Sequence, residues 1–550
     1  MQQAAPGFVP DLLHPEPLRR IDVEHTKLAL TIAFAGGASG AFFTEALDAA
    51  TFAPSSFEPS AFANDLFLSR FVAQCFKVRV GQRDAALATG HLVRLLAQPP
   101  ADPAIVAYRR GIVHELSSSP ALRRELEELY ASVCRLRGLL ENGSGGRNWD
   151  PGRRQLDVLQ AAKETFERMH GGFAQARSGL ACLHAFGARV IAGESYRALD
   201  DLLRYDSRLA TLSLKVAVGA DGRIRGFEIV QISENSENQF TNPPWKRWLG
   251  KVELFLRGYR FGDGEVMARL VDTVFGGLED ELVALVQLVG DLEFYLGALG
   301  FADRASEAGL AVCLPELVPP DAPRALFGLF NPLLLMSGVT PVPCNLVSER
   351  LTNTVLVTGP NSGGKTRLLQ AIGLSQLLAQ AGLFIPARTG SIALAPALVV
   401  SLIQETKADQ AEGRLGMELL RIRELFERLP PGAMVLLDEL CSGTNPSEGE
   451  EIFELVVSML TRLSPQAFIT THFLAFAARL ERERKISDLG FLQVELGADR
   501  RPTYQFTPGV ALTSLAGHAA ERLGVTGDQL LALVERNMRR HPAYAPARGA

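Results

Sequence analysis

The strongest constraint on the fold of this 550-residue chain is a glycine-rich octapeptide, Gly359-Pro360-Asn361-Ser362-Gly363-Gly364-Lys365-Thr366. The apolar run before it, 355–357, predicts a buried strand, and the residues after it have helical periodicity. The pattern G-x-x-x-x-G-K-[ST] between a strand and a helix is typical of a phosphate-binding loop, whereas a structural glycine turn needs neither the lysine nor the threonine. The glycines let backbone N–H groups turn toward phosphates, and the helix N-terminus adds partial positive charge. Lys365 is then expected to reach the β- and γ-phosphates of a nucleotide, and the Thr366 hydroxyl to ligate Mg²⁺.

A second polar feature follows the apolar run 434–437, where Asp438 and Glu439 occur together. Carboxylates are costly inside a sheet, so the pair is expected at its carboxyl edge, where ligands bind in α/β folds. Asp438 would hold Mg²⁺ through water, and Glu439 would polarise the attacking water. An acidic pair after a strand is common by itself, but beside the phosphate-binding loop it predicts one cleft shared by both segments. His472 ends the apolar run 467–471, where it either senses the γ-phosphate or has only a structural role.

Composition limits what else the chain can do. Lys and Arg number 56 against 61 Asp and Glu, and the net charge of −5 excludes a protein that coats nucleic acid by bulk charge. The six cysteines occur singly, without the spacing of a zinc site or of a disulfide framework. The longest uncharged apolar stretch, residues 28–43, is short for a membrane span and contains three glycines. We therefore expect a soluble cytoplasmic protein with no membrane contact.

The chain divides into a helical part and an α/β part. Helical periodicity prevails from residue 65 to 204, and the alternating runs 212–218 and 224–232 then predict a β-hairpin. From residue 345 onward, short apolar runs alternate with helical stretches, which is typical of a mainly parallel sheet.

A small basic and aromatic cluster follows the predicted hairpin. It consists of Trp245, Lys246, Arg247, Trp248 and Lys251. Such residues can contact DNA phosphates and stack on unpaired bases. They can equally form the solvated start of an amphipathic helix, with the tryptophans packed inward. The sequence leaves both interpretations open.

The motifs of the α/β part resemble those of the MutS family of DNA mismatch-repair ATPases, which are relatives of the ABC-type ATPases. The loop at 359–366 is similar to that family's phosphate loop, including the pair Pro360-Asn361. Residues 438–449 are similar to its D-E-x-x-x-G-T-x-x-x-x-G segment, and residues 471–473 to its T-H-Y/F switch. The resemblance covers residues 330–540.

The resemblance implies a multidomain α plus α/β fold with four parts. These are an N-terminal segment of unassigned role (1–64), a helical core and lever domain (65–330) with a small clamp-like β-hairpin insertion (about 205–260), an ABC-type P-loop NTPase domain with a mainly parallel sheet (331–500) and a C-terminal helical dimerisation segment (501–550). In that family, the clamps of two subunits close around duplex DNA, and composite ATP sites form across the dimer. The implied function is therefore Mg²⁺-dependent ATP hydrolysis that rearranges a homodimer on DNA, in mismatch repair or in related repair and recombination.

The chain departs from the family pattern at three points. Leu415 follows Gly413-Arg414 where the family's signature has Ser-Thr after a glycine, so a serine for the partner's nucleotide is missing. Asn331-Pro332 stands where members carry His-Pro near the nucleotide base. Too few residues precede residue 65 for a mismatch-reading domain, and Phe43-Thr44-Glu45 matches that domain's Phe-x-Glu string by chance. The acidic net charge, the missing mismatch-reading domain and Leu415 favour an alternative function, an ATP-dependent conformational switch that acts on a protein partner without binding DNA.

Overall fold

The computed structural model describes residues 9–36, 40–81, 83–142, 151–206, 210–218, 224–234, 263–335, 337–402, 414–441, 446–512 and 525–540. These residues form two compact units. The first unit is built from the described residues of Met1–Ser55, Ser69–Arg304 and Ala381–Leu383. The second unit is built from those of Ser56–Leu68, Ala305–Gln380 and Phe384–Ala550. The chain therefore enters the second unit three times, at Ser56, at Ala305 and at Phe384.

Helices dominate the first unit. They are α1 (Val23–Phe34), α2 (Phe42–Asp48), α3 (Leu68–Cys75), α4 (Thr89–Ala97), α5 (Pro103–Ser118), α6 (Pro120–Glu141), α7 (Pro151–Gly172), α8 (Ala181–Ala192), α9 (Glu194–Asp206), α10 (Asp263–Gly276) and α11 (Glu279–Glu307). Helix α6 begins where Ser119 accepts a hydrogen bond from the backbone N–H of Leu122, and Pro120 fits the first turn. Leu126, Leu129 and Val133 then recur at three- and four-residue steps and are buried on one face.

Helix α11 runs through the core of the first unit. Among the residues that the structure describes, it is the one helix whose length and apolar composition would allow it to cross a membrane. Its most apolar stretch is wholly buried inside the folded unit. A helix that is apolar on all sides and packed on all sides is a core helix, and that is the position of α11 here.

The N-terminal residues of the first unit are fixed to α11 by buried charges. The Arg20 guanidinium donates from Nη2 to both carboxylate oxygens of Asp291, at 2.6 and 2.8 Å. The same nitrogen lies 3.5 Å from a carboxylate oxygen of Asp11, and all three side chains are inaccessible to solvent. Asp291 also accepts the backbone N–H of Leu12 at 3.1 Å. Residues 11–14 and Arg20 are thus part of this core, whereas residues 15–19 between them are exposed.

Replacing Arg20 with methionine is expected to destabilise the first unit by about 3–5 kcal/mol, because it leaves two carboxylates buried without their cation. Arg135→Met is the matched control, since Arg135 forms a 2.8 Å ion pair with Glu164 in the same unit but is 57% exposed. An exposed pair contributes only about 0–1 kcal/mol. Urea denaturation followed by circular dichroism measures the free energy of unfolding of both variants. Equal shifts of the unfolding midpoint in the two variants would contradict the buried-charge account.

The β-hairpin predicted in this part of the chain is present. Strand β3 (Ala210–Val218) pairs antiparallel with β4 (Ile224–Glu234). A second, two-residue ladder joins β1 (Arg79–Val80) to β2 (Arg83–Asp84). The cluster Trp245, Lys246, Arg247, Trp248 and Lys251 lies outside the described residues, so its two interpretations stay as predictions.

The second unit is of the α/β type. In chain order it contains β5 (Glu316–Leu317), β6 (Arg324–Leu329), α12 (Pro332–Leu335), β7 (Cys344–Ser348), β8 (Thr354–Thr358), α13 (Lys365–Gln380), β9 (Thr389–Ile392), β10 (Leu398–Ser401), α14 (Arg414–Arg428), β11 (Met434–Leu437), α15 (Pro446–Thr461), β12 (Gln466–Thr470), α16 (Leu474–Glu483), β13 (Leu489–Leu496), β14 (Pro502–Pro508) and α17 (Gly527–Arg540).

Its main sheet has six strands in the order β10-β11-β12-β8-β13-β14. The first five strands are parallel, and β14 is antiparallel to β13. The central strands β8, β11 and β12 are buried along their whole length, which explains the apolar runs 355–357, 434–437 and 467–469 within them. The prediction of a multidomain protein with a mainly parallel sheet in its α/β part is confirmed at this level. A second sheet, β5-β9-β6-β7, was not predicted from the sequence.

The boundaries of the second unit differ from those expected from the sequence. Residues 56–64 and 305–330 belong to it, although the sequence places them in the N-terminal segment and the helical part. Residues 502–508 form the edge strand β14, where the sequence analysis expects the start of a helical segment. Of the described residues after 510, 527–540 are helical. Contacts between distant segments decide these boundaries, such as the pairing of β5 and β6 with β9 and the hydrogen bond from Ser56 to Pro396, and local sequence pattern does not reveal them.

Candidate functional site

The glycine-rich loop lies between β8 and α13, and two of its glycines have backbone conformations that disfavour a side chain. Gly359 has φ 133° and Gly364 has φ 85°. A Cβ atom on Gly359 would lie 2.8 Å from Cβ of Val494, and one on Gly364 would lie 3.3 Å from the Tyr504 ring. These positions therefore need glycine for conformation and for space. The remaining loop residues Pro360, Asn361, Ser362 and Gly363 connect them, and Lys365 and Thr366 begin the helix.

The Lys365 ammonium is turned back onto the loop. Its Nζ donates to the carbonyl oxygens of Gly359 and Pro360 at 2.9 and 3.2 Å, and it lies 3.4 Å from Oδ1 of Asn361. The residue is only 3% exposed. Burial lowers the pKa of Lys365, while the charges of Glu439 and Asp438 act in the opposite direction. A buried ammonium held by neutral oxygens is suited to binding an anion.

The acidic pair meets the loop through a direct hydrogen bond. The Thr366 hydroxyl donates to Oδ2 of Asp438 at 2.5 Å. The other carboxylate oxygen of Asp438 accepts from the hydroxyl of Thr470, and the same hydroxyl accepts the backbone N–H of Glu439 at 2.8 Å. Glu439 has φ 53°, a conformation that is uncommon for a residue with a side chain. Thr470, which the sequence analysis did not single out, thus orients both acids.

The order of the strands explains why the acidic pair lies next to the glycine-rich loop. Strand β12 lies between β8, which precedes the loop, and β11, which precedes the acids. Leu437 is paired with Ile469 and Thr470 with Val357, so the three strands end at the same edge of the sheet. Parallel strands place their carboxyl ends, and therefore the residues that follow them, side by side. His472 also lies at this edge, where it is exposed, and its ring is tilted against that of Phe473 with the ring centroids 4.3 Å apart.

The loop opens into a cleft of 610 Å³. Residues 361–366 of the loop form part of its lining, and much of the remaining lining is apolar. The apolar and aromatic lining residues include Phe67, Leu329, Phe330, Leu334, Val339, Val342, Tyr504 and Phe506. Asn331, at the family's His-Pro position, also lines the cleft and donates from Nδ2 to the carbonyl of Arg367 at 3.0 Å.

The loop and the acids do not line a single cleft. Asp438 and Glu439 line a neighbouring cleft of 700 Å³ beside β10 and α14. Thr366 lines the first cleft and Asp438 the second, so the hydrogen bond between them marks where the two adjoin. The side chain of Leu415, which replaces the family's signature serine, and residue Gly413 lie outside what the structure describes.

Comparisons with known proteins find similarity to MutS-type proteins in each case. A family model described as MutS domain V matches residues 355–535. Endonuclease MutS2 of Thermomicrobium roseum is 30% identical over 277 residues, which cover 48% of this chain and 34% of that protein. Endonuclease MutS2 of Anaeromyxobacter sp. is 28% identical over 439 residues, which cover 74% of this chain and 53% of that protein. The chain thus spans between a third and about half of the length of these relatives.

A glycine loop that joins a central parallel strand to a helix, with an acidic pair at the adjoining strand end, defines the second unit as a P-loop nucleotide-binding domain. Within that class, residues 355–535 match MutS domain V, and the chain is similar to proteins named Endonuclease MutS2.

Proposed function

We propose that this chain is a MutS-type ATPase that binds ATP and Mg²⁺ at the loop, hydrolyses the ATP and acts on DNA in repair or recombination. The observation that carries the proposal is the 2.5 Å hydrogen bond between Thr366 and Asp438. It joins the helix after the phosphate-binding loop to the acid after a neighbouring strand, which is the arrangement that a P-loop NTPase needs for its metal. The match to MutS domain V covers both residues.

The oxygen atoms of Thr366 and Asp438 fit Mg²⁺ as ligands, and they already lie next to each other. Mg²⁺ prefers oxygen ligands and is usually held by one or two carboxylates together with substrate phosphates and water. Within the described ranges, no group of three or more His, Cys, Asp or Glu side chains could hold a metal ion by itself. A metal shared with the substrate is therefore the form that this donor set supports. When bound, Mg²⁺ would neutralise charge on the phosphates of ATP.

The remaining roles follow from the placement of each side chain. Backbone N–H groups of Gly359, Pro360, Asn361, Ser362, Gly363 and Gly364, with Lys365, would hold the phosphates. Glu439 would accept a proton from the attacking water, since Thr470 fixes its backbone and Asp438 is already committed to Thr366 and Thr470. His472, exposed at the same strand edge, would contact the γ-phosphate side of the site.

Replacing Thr470 with valine keeps the shape of the side chain but removes its hydroxyl. It would leave the Glu439 N–H without its acceptor and free one oxygen of Asp438. We expect ATP turnover to fall about 10- to 100-fold, as for other residues that orient metal ligands. The Thr470→Ser variant, which keeps the hydroxyl, should retain most of the activity. A valine variant with wild-type turnover at limiting Mg²⁺ would show that Thr470 does not position the acids.

We further propose that two copies of the chain share composite ATP sites, and that the helical first unit works as core and lever with the hairpin β3–β4 as the start of a clamp. The resemblance to the MutS family and the presence of the hairpin support this arrangement. The terminal helix α17 supports the dimer, because none of its residues is buried and Leu530, Leu531 and Val534 are exposed on it. An exposed apolar stripe on a helix favours association with a partner.

The experiment that tests the DNA part of the proposal compares ATPase rates at low salt with plain, mismatched and branched duplex DNA and without DNA. We expect stimulation by at least one duplex, with binding that weakens as salt rises. Wild-type hydrolysis that no DNA stimulates, together with no salt-sensitive DNA binding, would contradict the DNA role. Light scattering during size-exclusion chromatography, with and without ATP, tests the dimer.

A further inference from the structure

A short N-terminal segment, Ser56–Leu68, belongs to the second unit although the chain on both sides of it belongs to the first. Its apolar residues Phe57, Phe62 and Leu66 are buried. Leu66 packs against helix α13 so closely that a Cβ atom on Gly373 would lie 2.8 Å from its Cδ2. This segment is therefore packed on the helix that follows the phosphate-binding loop.

Polar contacts fix the same segment at the end of strand β10. Oδ1 of Asp65 accepts the backbone N–H of Leu402 at 2.6 Å. The backbone carbonyl of Asp65 accepts from Nε2 of Gln370, a residue of α13, at 3.5 Å. The hydroxyl of Ser56 donates to the carbonyl of Pro396 at 2.5 Å. The segment is thus held at both ends within the second unit, and its position relative to the loop is defined.

Phe67 differs from the other aromatic residues of this segment. Phe57 and Phe62 are buried, whereas Phe67 is 36% exposed. Its φ is 50°, which is strained for a bulky residue, and it is held there because its N–H donates to Asn64 and that of Leu68 donates to Ala63. Strain of this kind persists where the surroundings determine the conformation and is concentrated at functional sites. The ring lines the cleft into which the phosphate-binding loop opens.

The lining of the cleft combines the polar loop with apolar and aromatic side chains, which limits how a nucleotide can lie in it. The phosphates require the loop N–H groups and Lys365. With the phosphates on the loop, the base is left to the rest of the lining, which includes the apolar side chains of Leu329, Val339 and Val342. Aromatic rings at such a site stack on nucleobases, because every base has an apolar face.

We propose that Phe67 is a base-contacting residue of the nucleotide site, contributed by the N-terminal segment rather than by the domain V sequence. The ring stacks on the purine base of the bound nucleotide and sets nucleotide affinity, while the loop alone binds the phosphates. This inference rests on the proposed function of the loop as an ATP site.

The test measures calorimetric Kd values for Mg²⁺–ADP and for Mg²⁺–tripolyphosphate, which lacks a base, on the full chain. Phe67→Ala and Phe67→Gly should each raise the Kd for ADP about 5- to 30-fold, within the range of one base–aromatic stack. Neither variant should change the Kd for tripolyphosphate. The glycine variant relieves the backbone strain, so a similar loss in both variants assigns the effect to the ring. Phe67→Tyr, which keeps an aromatic ring, should bind ADP with the wild-type Kd.

Phe327→Ala is the matched control, because Phe327 is a phenylalanine of the same unit, is 37% exposed and does not line the cleft. Its ADP affinity should equal that of the wild type. Unchanged ADP affinity in both Phe67 variants would overturn the inference and leave the ATP site standing. An equal loss of tripolyphosphate affinity would also overturn it, since the ring would then act through the loop. If the wild-type chain binds no ADP, both the proposed function and this inference fail.

Discussion

Replacing Lys365 with alanine is expected to abolish tight ATP binding, raising the Kd by about 30-fold to 3000-fold, as when one partner of a buried hydrogen-bonded charge pair is removed. The ammonium is 3% exposed and is held only by the oxygens of Gly359, Pro360 and Asn361 among the described contacts. Burial lowers the pKa of this lysine, so a phosphate that pairs with the ammonium relieves a cost already present in the folded chain.

The measurement is calorimetric titration with a nonhydrolysable ATP analogue in the presence of Mg²⁺. Lys485→Ala serves as the control, because Lys485 lies in the same unit, is 69% exposed and pairs with Glu483 at the surface. Its affinity should match that of the wild type. A Lys365→Ala variant that folds, as judged by circular dichroism, and still binds the analogue with wild-type affinity would show that the loop is not the phosphate site.

The second large effect is expected from Glu439→Gln, which should bind ATP normally and hydrolyse it about 10²- to 10⁴-fold more slowly. Glutamine keeps the size of the side chain but cannot accept the proton of the attacking water. The neighbouring Asp438 cannot replace it, since its two carboxylate oxygens accept from Thr366 and Thr470. Binding should persist because the loop and Lys365 are untouched.

Single-turnover hydrolysis of radiolabelled ATP separates the chemical step from nucleotide binding in this variant. Glu483→Gln is the control, since Glu483 lies at the surface of the same unit and pairs with Lys485 at 2.9 Å. It should hydrolyse ATP at the wild-type rate. A Glu439→Gln variant with that same rate would remove Glu439 from the reaction, whatever happens to ATP affinity.

The parts of this fold that sequence predicts are those that local pattern encodes. The buried strands β8 and β11 have no polar residue between Val355 and Val357 or between 434 and 437, and each is followed by the residues of the proposed site. The hairpin β3–β4 alternates with a period of two. Such patterns need no knowledge of which strands are neighbours.

The parts that sequence does not predict depend on contacts between distant segments. Thr470 is one polar residue at the end of an apolar strand, and only the order β11-β12-β8 shows that it lies between the acids and the loop. Phe67 and Tyr504 are separated by more than four hundred residues, yet both line the cleft with positive φ. A polar residue at the carboxyl end of a strand was the available signal for Thr470; none was available for Phe67.

The central claim is that Thr366 and Asp438 complete one magnesium–nucleotide site with the glycine loop. The most direct test titrates the full chain with ADP, once with Mg²⁺ and once with a chelator, for the wild type and for Asp438→Asn. The account predicts tighter binding with Mg²⁺ in the wild type and loss of that difference in the variant. A wild-type chain whose binding heat is the same with metal and with chelator would contradict it.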